Sequence, residues 1–341
     1  MTERTDAIDI LHQACAWAGT GTGAADGKSA ALATVITTWG SAPRRTGALL
    51  AISSEGELAG SVSGGCVEGA VLAEAQDIMS HGQPKILEFG VSDEEAWEVG
   101  LACGGTIRVF IEKVDEEKAT LTNEITARRA DGQPTVLATR LADGSQRLVL
   151  AEGDAFSEAA SLAIRQDKGA SVEFEGQEWF LTVFNPPLRL ILVGAVHIAQ
   201  TLAPAAHLAG FQVRLIDPRT AFATEARFPG VELSHDWPDE AMAASPPDHR
   251  TAIVTLTHDP KIDDPALHAA LKSSAFYIGC LGSKRTHAKR LDRLKASGFT
   301  EEQTGRINGP LGLDIGAANP AEIAISALAE IIAVLRGQSA S

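Results

Sequence analysis

Little in this 341-residue chain points to a metal ribbon, a secreted scaffold or a membrane protein. It has four cysteines, Cys15, Cys66, Cys103 and Cys280, and no two are spaced as CxxC. A zinc ribbon or a thioredoxin-like dithiol is thereby disfavoured, and so few cysteines fit a reducing compartment. No apolar run approaches the length of a membrane span. Cations are outnumbered, 29 Lys and Arg against 44 Asp and Glu, for a net charge of −15. Such a surface repels nucleic acid and anionic membrane, and leaves anionic ligands only those places where local cations gather. The opening MTERTDAIDI is polar and has no apolar signal core, so a cytoplasmic location is the expectation. There is no internal repeat and no low-complexity tract.

What is present suits a globular protein with full cores. Hydrophobic residues make up 45% and charged residues 21%, with a mean hydropathy of +0.02. The length suggests two domains, and Asn185-Pro186-Pro187 is the strongest boundary signal. The expected division is 1–185 and 188–341. Before the prolines, short alternating strands and a few helices predict a mixed α/β domain, with a helix over 67–80 that starts beside Cys66. After them, buried strands alternate with amphipathic helices. That pattern predicts a Rossmann-like, doubly wound parallel sheet. Asn319 as N-cap, Pro320 at the first helical position and Glu322 three residues after Asn319 mark the start of the final helix.

Four stretches carry chemistry. In GSVSGGCVEG (60–69), two glycines lead into Cys66, and in GLACGG (100–105) Cys103 sits against Gly104 and Gly105. A thiol on such bare backbone, with Gly64 and Gly65 beside it, has amides around it and room for a bulky ligand. A helix start at Cys66 favours thiolate, and Glu68 offsets part of that. Two small thiols packed beneath turns is the competing reading. Third, Arg44 and Arg45 lie on a Pro- and Gly-limited turn between strands, where guanidinium forks suit a phosphate or a heterocycle edge; a solvent-exposed turn without a ligand is the competing reading.

The fourth stretch comprises two strand–glycine–helix junctions of the second half. LILVGAVHIA places Gly194 at the end of a strand, and Asp217 ends the next strand 23 residues later. This is a dinucleotide-fold frame, with a helix N-terminus for a pyrophosphate and an acid for a ribose hydroxyl. The second glycine of the fingerprint is Val196 here, which obstructs phosphate, and NAD(P) is therefore not expected. Asp217 reads equally as a strand-end carboxylate capping a turn with Arg219. In GCLGSKRT, Ser283 can cap a helix whose first turn carries Lys284 and Arg285. Cations there oppose the helix dipole, a conflict a bound anion relieves. A solvated basic helix is the alternative.

Taken together, these stretches resemble the XdhC/CoxI family of maturation factors for xanthine dehydrogenase and carbon monoxide dehydrogenase-type molybdoenzymes. The resemblance rests on TTWGSAPRRTGALLAI, GELAGSVSGGCVEGAVLAEA and GLACGGTIRVFIE in the first half. In the second it rests on LILVGAVHIAQTLA, VRLIDPR, FPGVEL, VTLTHDPKIDDPALHAAL, YIGCLGSKRTHAKRL and INGPLGLDIGAANPAEIAISALAEIIA. It implies an N-terminal XdhC/CoxI domain and a C-terminal Rossmann-like domain. The implied function is a cofactor-binding chaperone rather than a catalyst: it binds molybdenum cofactor (molybdopterin, in the plain or the cytosine dinucleotide form), supports sulfuration by a cysteine desulfurase and delivers the cofactor to an apo-molybdoenzyme client. A homodimer is also implied.

By position, the resemblance puts Cys66 and Cys103 at the cofactor, as contacts to molybdenum, with Gly64, Gly65, Gly104, Gly105 and Arg44 around them. Gly194, Asp217, Ser283, Lys284 and Arg285 are the corresponding candidates in the second half. Val196 departs from the family's usual glycine. Two other functions compete: an NAD(P)-dependent oxidoreductase using the second half, and an interaction scaffold whose cysteines only pack.

Overall fold

The computed structural model describes residues 6–20, 29–40, 44–65, 67–91, 105–149 and 153–337. The chain divides into two compact units, Met1–Pro186 and Pro187–Ser341.

The first unit is built on two antiparallel sheets. Five strands, β1 (Ala30–Gly40), β2 (Leu49–Ser53), β3 (Leu58–Gly60), β4 (Lys85–Val91) and β5 (Gly105–Lys113), lie in the order β3-β2-β1-β5-β4. The central strand β1 is apolar almost throughout because both of its faces are covered. Ala31, Ala33 and Val35 join a cluster with Val71, Ala75 and Ile78 of α2 (Glu68–His81). Ala30 and Leu32 join one with Ile8, Ile10, Leu11 and Ala14 of α1 (Ala7–Trp17) and with Ala119 and Ile125 of α3 (Glu116–Ala130). A strand buried on two faces loses the alternation that a half-exposed strand keeps. A four-stranded sheet follows, β6 (Thr135–Arg140), β7 (Gln146–Val149), β8 (Ala170–Phe174) and β9 (Gln177–Phe184), in the order β7-β6-β9-β8. Helix α4 (Ser157–Gln166) covers one side of it through Ala160, packed with Val136, Ala138 and Leu181.

The second unit is a parallel sheet of β10 (Leu188–Val193), β11 (Phe211–Ile216), β12 (Glu232–Ser234), β13 (Thr251–Thr255), β14 (Tyr277–Cys280) and β15 (Ile307–Asn308). Its order is β12-β11-β10-β13-β14-β15. Every adjacent pair is parallel, which makes this the doubly wound sheet expected from the alternation of strand and helix. Helices lie on both faces. Leu190 and Leu192 of β10 pack with α5 (His197–Leu208) and α10 (Pro320–Leu335), whereas Ile191 and Val193 face α6 (Pro238–Ala244), α7 (Pro260–Lys272) and α8 (Lys284–Ala296). A short α9 (Glu301–Thr304) precedes β15. Pro204 lies inside α5 without ending it. Pro204 is exposed, so the carbonyl it frees one turn earlier is on the solvent side. Among the described residues, no helix is long and apolar enough to cross a membrane.

Candidate functional site

Strand register directs the described parts of the first-half motifs toward one end of the five-stranded sheet. Gly40 at the end of β1 pairs with Gly105 at the start of β5, and Gly105 pairs with Val91 at the end of β4. On the other side, Gly60 at the end of β3 pairs with Leu50 near the start of β2. The turn carrying Arg44 and Arg45 closes between β1 and β2, with the amide of Gly47 donating to the carbonyl of Val35 at 2.7 Å. Both arginines are exposed there. Ser61 leaves β3 in the same direction but further back, since Leu50 pairs with both Gly60 of β3 and Ala33 of β1. The loop after Gly60 and the start of β5 therefore lie toward the same end of the sheet but at different levels along β1. Cys66, Cys103 and Gly104 lie outside the described residues.

The loop before α2 is organised by a carboxylate. Glu68 Oε1 accepts from the Ser61 hydroxyl at 2.8 Å, the Ser63 amide at 2.9 Å and the Gly64 amide at 3.0 Å. Oε2 accepts from the Gly65 amide at 2.8 Å and from the Ser63 hydroxyl. Three successive amides can converge on one anion because Gly64 and Gly65 take φ of +88° and +122°, a region costly for other residues. Partial burial works against the charged carboxylate, but the hydroxyl and amide of Ser63 and the hydroxyl of Ser61 outweigh it, and the Glu68 pKa falls to about 2. From the sequence, these amides are expected to be open to a guest. They are already engaged, so a guest at this loop meets the exposed glycine surface and not its N–H groups. The strand β3 stops at Gly60, and Ser61 and Ser63 turn to Glu68.

In the second unit, the turn after β10 is closed around Asp217. A side chain at Gly194 would place its first carbon 2.4 Å from Thr257 Cγ2, and Gly194 has φ +111°. Only glycine fits. Asp217 has no exposed surface. It accepts from the amide of Ala195 at 2.8 Å, from the amide of Arg219 at 3.0 Å and from the Arg219 guanidinium at 2.9 and 2.7 Å. Burial opposes its charge; Arg219 and the Ala195 amide restore it and hold the carboxyl below its ordinary range. Asp217 is therefore the clamp of the turn and not a surface acceptor for a ribose. The Ala195 amide, which a pyrophosphate would use in a dinucleotide fold, is consumed by it. Val196 is the N-cap of α5.

At β14 the second glycine turn ends in Ser283, whose hydroxyl accepts from the Thr286 amide at 3.1 Å and caps α8. Lys284 and Arg285 are exposed in its first turn. Sequence reasoning missed Glu68 as the hub of the cysteine loop, although Ser-x-Ser-Gly-Gly-x-x-Glu, hydroxyls and glycines just before a helix-start carboxylate, was there to be read. It also missed Asp263 and Arg290, a buried pair behind the GCLGSKRT turn. The signal was a charged residue on the apolar face of α8, one turn before Leu294. Among the described residues, no group of three or more His, Cys, Asp and Glu side chains could hold a metal ion.

Known proteins match both units. A family model described as the XdhC Rossmann domain covers residues 190–331, and one described as the XdhC and CoxI family covers residues 24–90. The molybdenum cofactor insertion chaperone PaoD of Escherichia coli is 30% identical over 90% of this chain and 84% of its own length. A protein of Bacillus subtilis described as a probable xanthine dehydrogenase subunit is 29% identical over 90% of this chain and 93% of its own. A solved structure described as a xanthine dehydrogenase of Bacillus halodurans shares the fold, with a TM-score of 0.75, 24% identity and coverage of 97% of this chain and 96% of that one. Matched in both of its units and over most of the length of a 30%-identical relative, the chain belongs to the XdhC and CoxI family.

Proposed function

We propose that this protein is a maturation factor that takes up molybdenum cofactor, holds it during sulfuration by a cysteine desulfurase and hands it to a xanthine dehydrogenase-type apoenzyme. Here the cofactor is cargo. Its metal is a soft, thiolate-seeking centre, its pterin is planar and its side chain ends in phosphate. The reading places Cys66 and Cys103 against the metal, with Gly64, Gly65, Gly104 and Gly105 as the bare surface beside it and Arg44 as a nearby cation. Ser283, Lys284 and Arg285 serve the anionic end. Gly194 and Asp217 are assigned to the turn itself and not to the cargo.

The observation that supports this reading is a shared direction: the arginine turn and the loop after β3 both leave the five-stranded sheet toward the end at which Gly40 of β1 pairs with Gly105 of β5. The insertion-chaperone name of the 30%-identical relative supports it. Cargo handling needs a surface that releases as readily as it binds, and an exposed sheet end suits that better than a closed cavity. A cytoplasmic location suits a protein whose described cysteines, Cys15 and Cys280, are free. A homodimer is part of the proposal.

The test is anaerobic purification from a host that makes the cofactor, followed by molybdenum and pterin analysis. The wild-type chain is expected to carry both in equal amounts. Cys66→Ala and Cys103→Ala are expected to lose most of the bound metal. If both variants retain cofactor at the wild-type level, the assignment of the sulfurs is wrong.

A further inference from the structure

Arg290 of α8 is 1% exposed, and most of its guanidinium is unused. Nη2 donates to the carbonyl of Leu281 at 2.9 Å and lies 3.7 Å from Asp263 Oδ2, beyond hydrogen-bond reach. Nε and Nη1 have no hydrogen-bond partner among the described residues. A guanidinium does not shed its proton to relieve such a deficit, and buried donors of a charged group are ordinarily paired. Asp263 is occupied elsewhere: it accepts from the Thr257 hydroxyl at 2.6 Å and from the His258 amide at 3.1 Å. The charge of Arg290 is thus only partly answered.

The position of this deficit is informative. Side chains on a helix lean toward its N-terminus, and Arg290 reaches back beneath Leu281 in the turn that starts α8. The same turn presents the positive pole of a 13-residue helix, capped by Ser283. Lys284 and Arg285 stand exposed at its mouth. His258 flanks it, since a first side-chain carbon at Gly282 would come within 3.7 Å of His258 Nδ1. On a chain of net charge −15, this edge gathers two exposed cationic side chains and a helix N-terminus outside a buried guanidinium with two unpaired donors.

We infer that the carboxyl edge of β13 and β14 is an oxyanion site for a phosphoryl group, ester or anhydride, with Arg290 as its buried donor and the start of α8 as its mouth. It displaces the anion site of this fold from the Gly194 turn, where Asp217 already takes the amide of Ala195, to the next glycine turn beyond the switch point. The inference draws on the same Ser283 turn as the proposed function, yet it rests on the second unit alone and stands whichever molecule carries the phosphate.

Calorimetric titration of the full-length protein with inorganic pyrophosphate, and separately with CDP, tests it. One-site binding of both at low salt is expected. Arg290→Lys keeps the charge but loses the fork, and should weaken binding at least tenfold. Asp263→Asn removes the competing carboxylate and should strengthen it. Lys284→Ala lies at the surface, leaves the core intact and should weaken binding several-fold, so the test survives an Arg290 variant that does not fold. CDP binding far more tightly than pyrophosphate would identify a nucleotide as the source of the phosphate, and equal affinities would identify the phosphoryl group alone; both support the site. Absence of binding by either probe, or dissociation constants that Arg290→Lys and Lys284→Ala leave unchanged, overturns it. Neither result bears on metal retention by the cysteine variants.

Discussion

The carboxylate of Glu68 accepts the amide of Gly65, three residues upstream, at 2.8 Å. The helix start thereby shapes the loop that leads into it.

Glu68→Gln should loosen that loop. It replaces a charged acceptor of five hydrogen bonds with an amide that also carries misplaced donors. A loss of about 1–3 kcal/mol is expected, read as a lower urea midpoint with an unchanged slope. The effect depends on pH. The carboxyl is held at about 2 in the folded chain, below its ordinary unfolded value, so its contribution is complete above that ordinary value and fades as pH falls toward 2. Wild type and variant should differ fully at pH 7 and converge in strong acid. An equal gap at pH 7 and pH 2.5 would contradict the linkage.

Thiol labelling separates buried cysteines from the rest. Burial pushes the Cys280 thiol up to about 11 and raises that of Cys15 as well. Iodoacetamide at pH 8 should leave both unlabelled in the native protein and label all four cysteines after denaturation. Peptide mass mapping reads the result directly. Rapid native labelling of Cys280 would mean that β14 is not sealed.

Lys118 and Glu112 form a buried pair at 2.8 Å, with Gln146 donating to the same carboxylate and accepting from Lys118. Burial raises the Glu112 pKa, and the attraction of Lys118 partly counters it. Lys118→Met leaves that carboxylate without its cation and should cost about 3–5 kcal/mol at pH 8. A raised folded pKa penalises the charged form above it, and the penalty lessens as pH falls through it and the group takes up a proton. The variant should therefore recover part of its stability by pH 5. A loss that does not change with pH would show that packing, not charge, is what Lys118 supplies.

Gly194→Ala should destabilise the second unit by about 1–3 kcal/mol, because the added carbon meets Thr257 at 2.4 Å. Calorimetric melting of the full chain gives the measurement. Val196→Gly, in contrast, should leave the melting temperature within about 2 °C, because Val196 caps α5 through its backbone and is only partly buried.

The alternation of apolar strands and amphipathic helices was enough to determine the parallel sheet of the second unit. That is so because burying strands on both faces and packing a helix after each leaves few other arrangements. The N-caps at Ser283 and Asn319 were legible for a similar reason, since capping is a contact over three residues. The Gly194 turn was legible as a turn. Long-range choices were not. Local sequence does not say that β1 pairs with β5, and so does not reveal that Gly40 lies beside Gly105. Nor does it say which acceptor a buried donor finds. Asp217 turned inward to Ala195 and Arg219, Glu68 turned back onto its own loop, and Arg290 was left with two donors unpaired. Each outcome depends on a few tenths of an ångström between groups brought together by packing, and only the folded chain sets those distances.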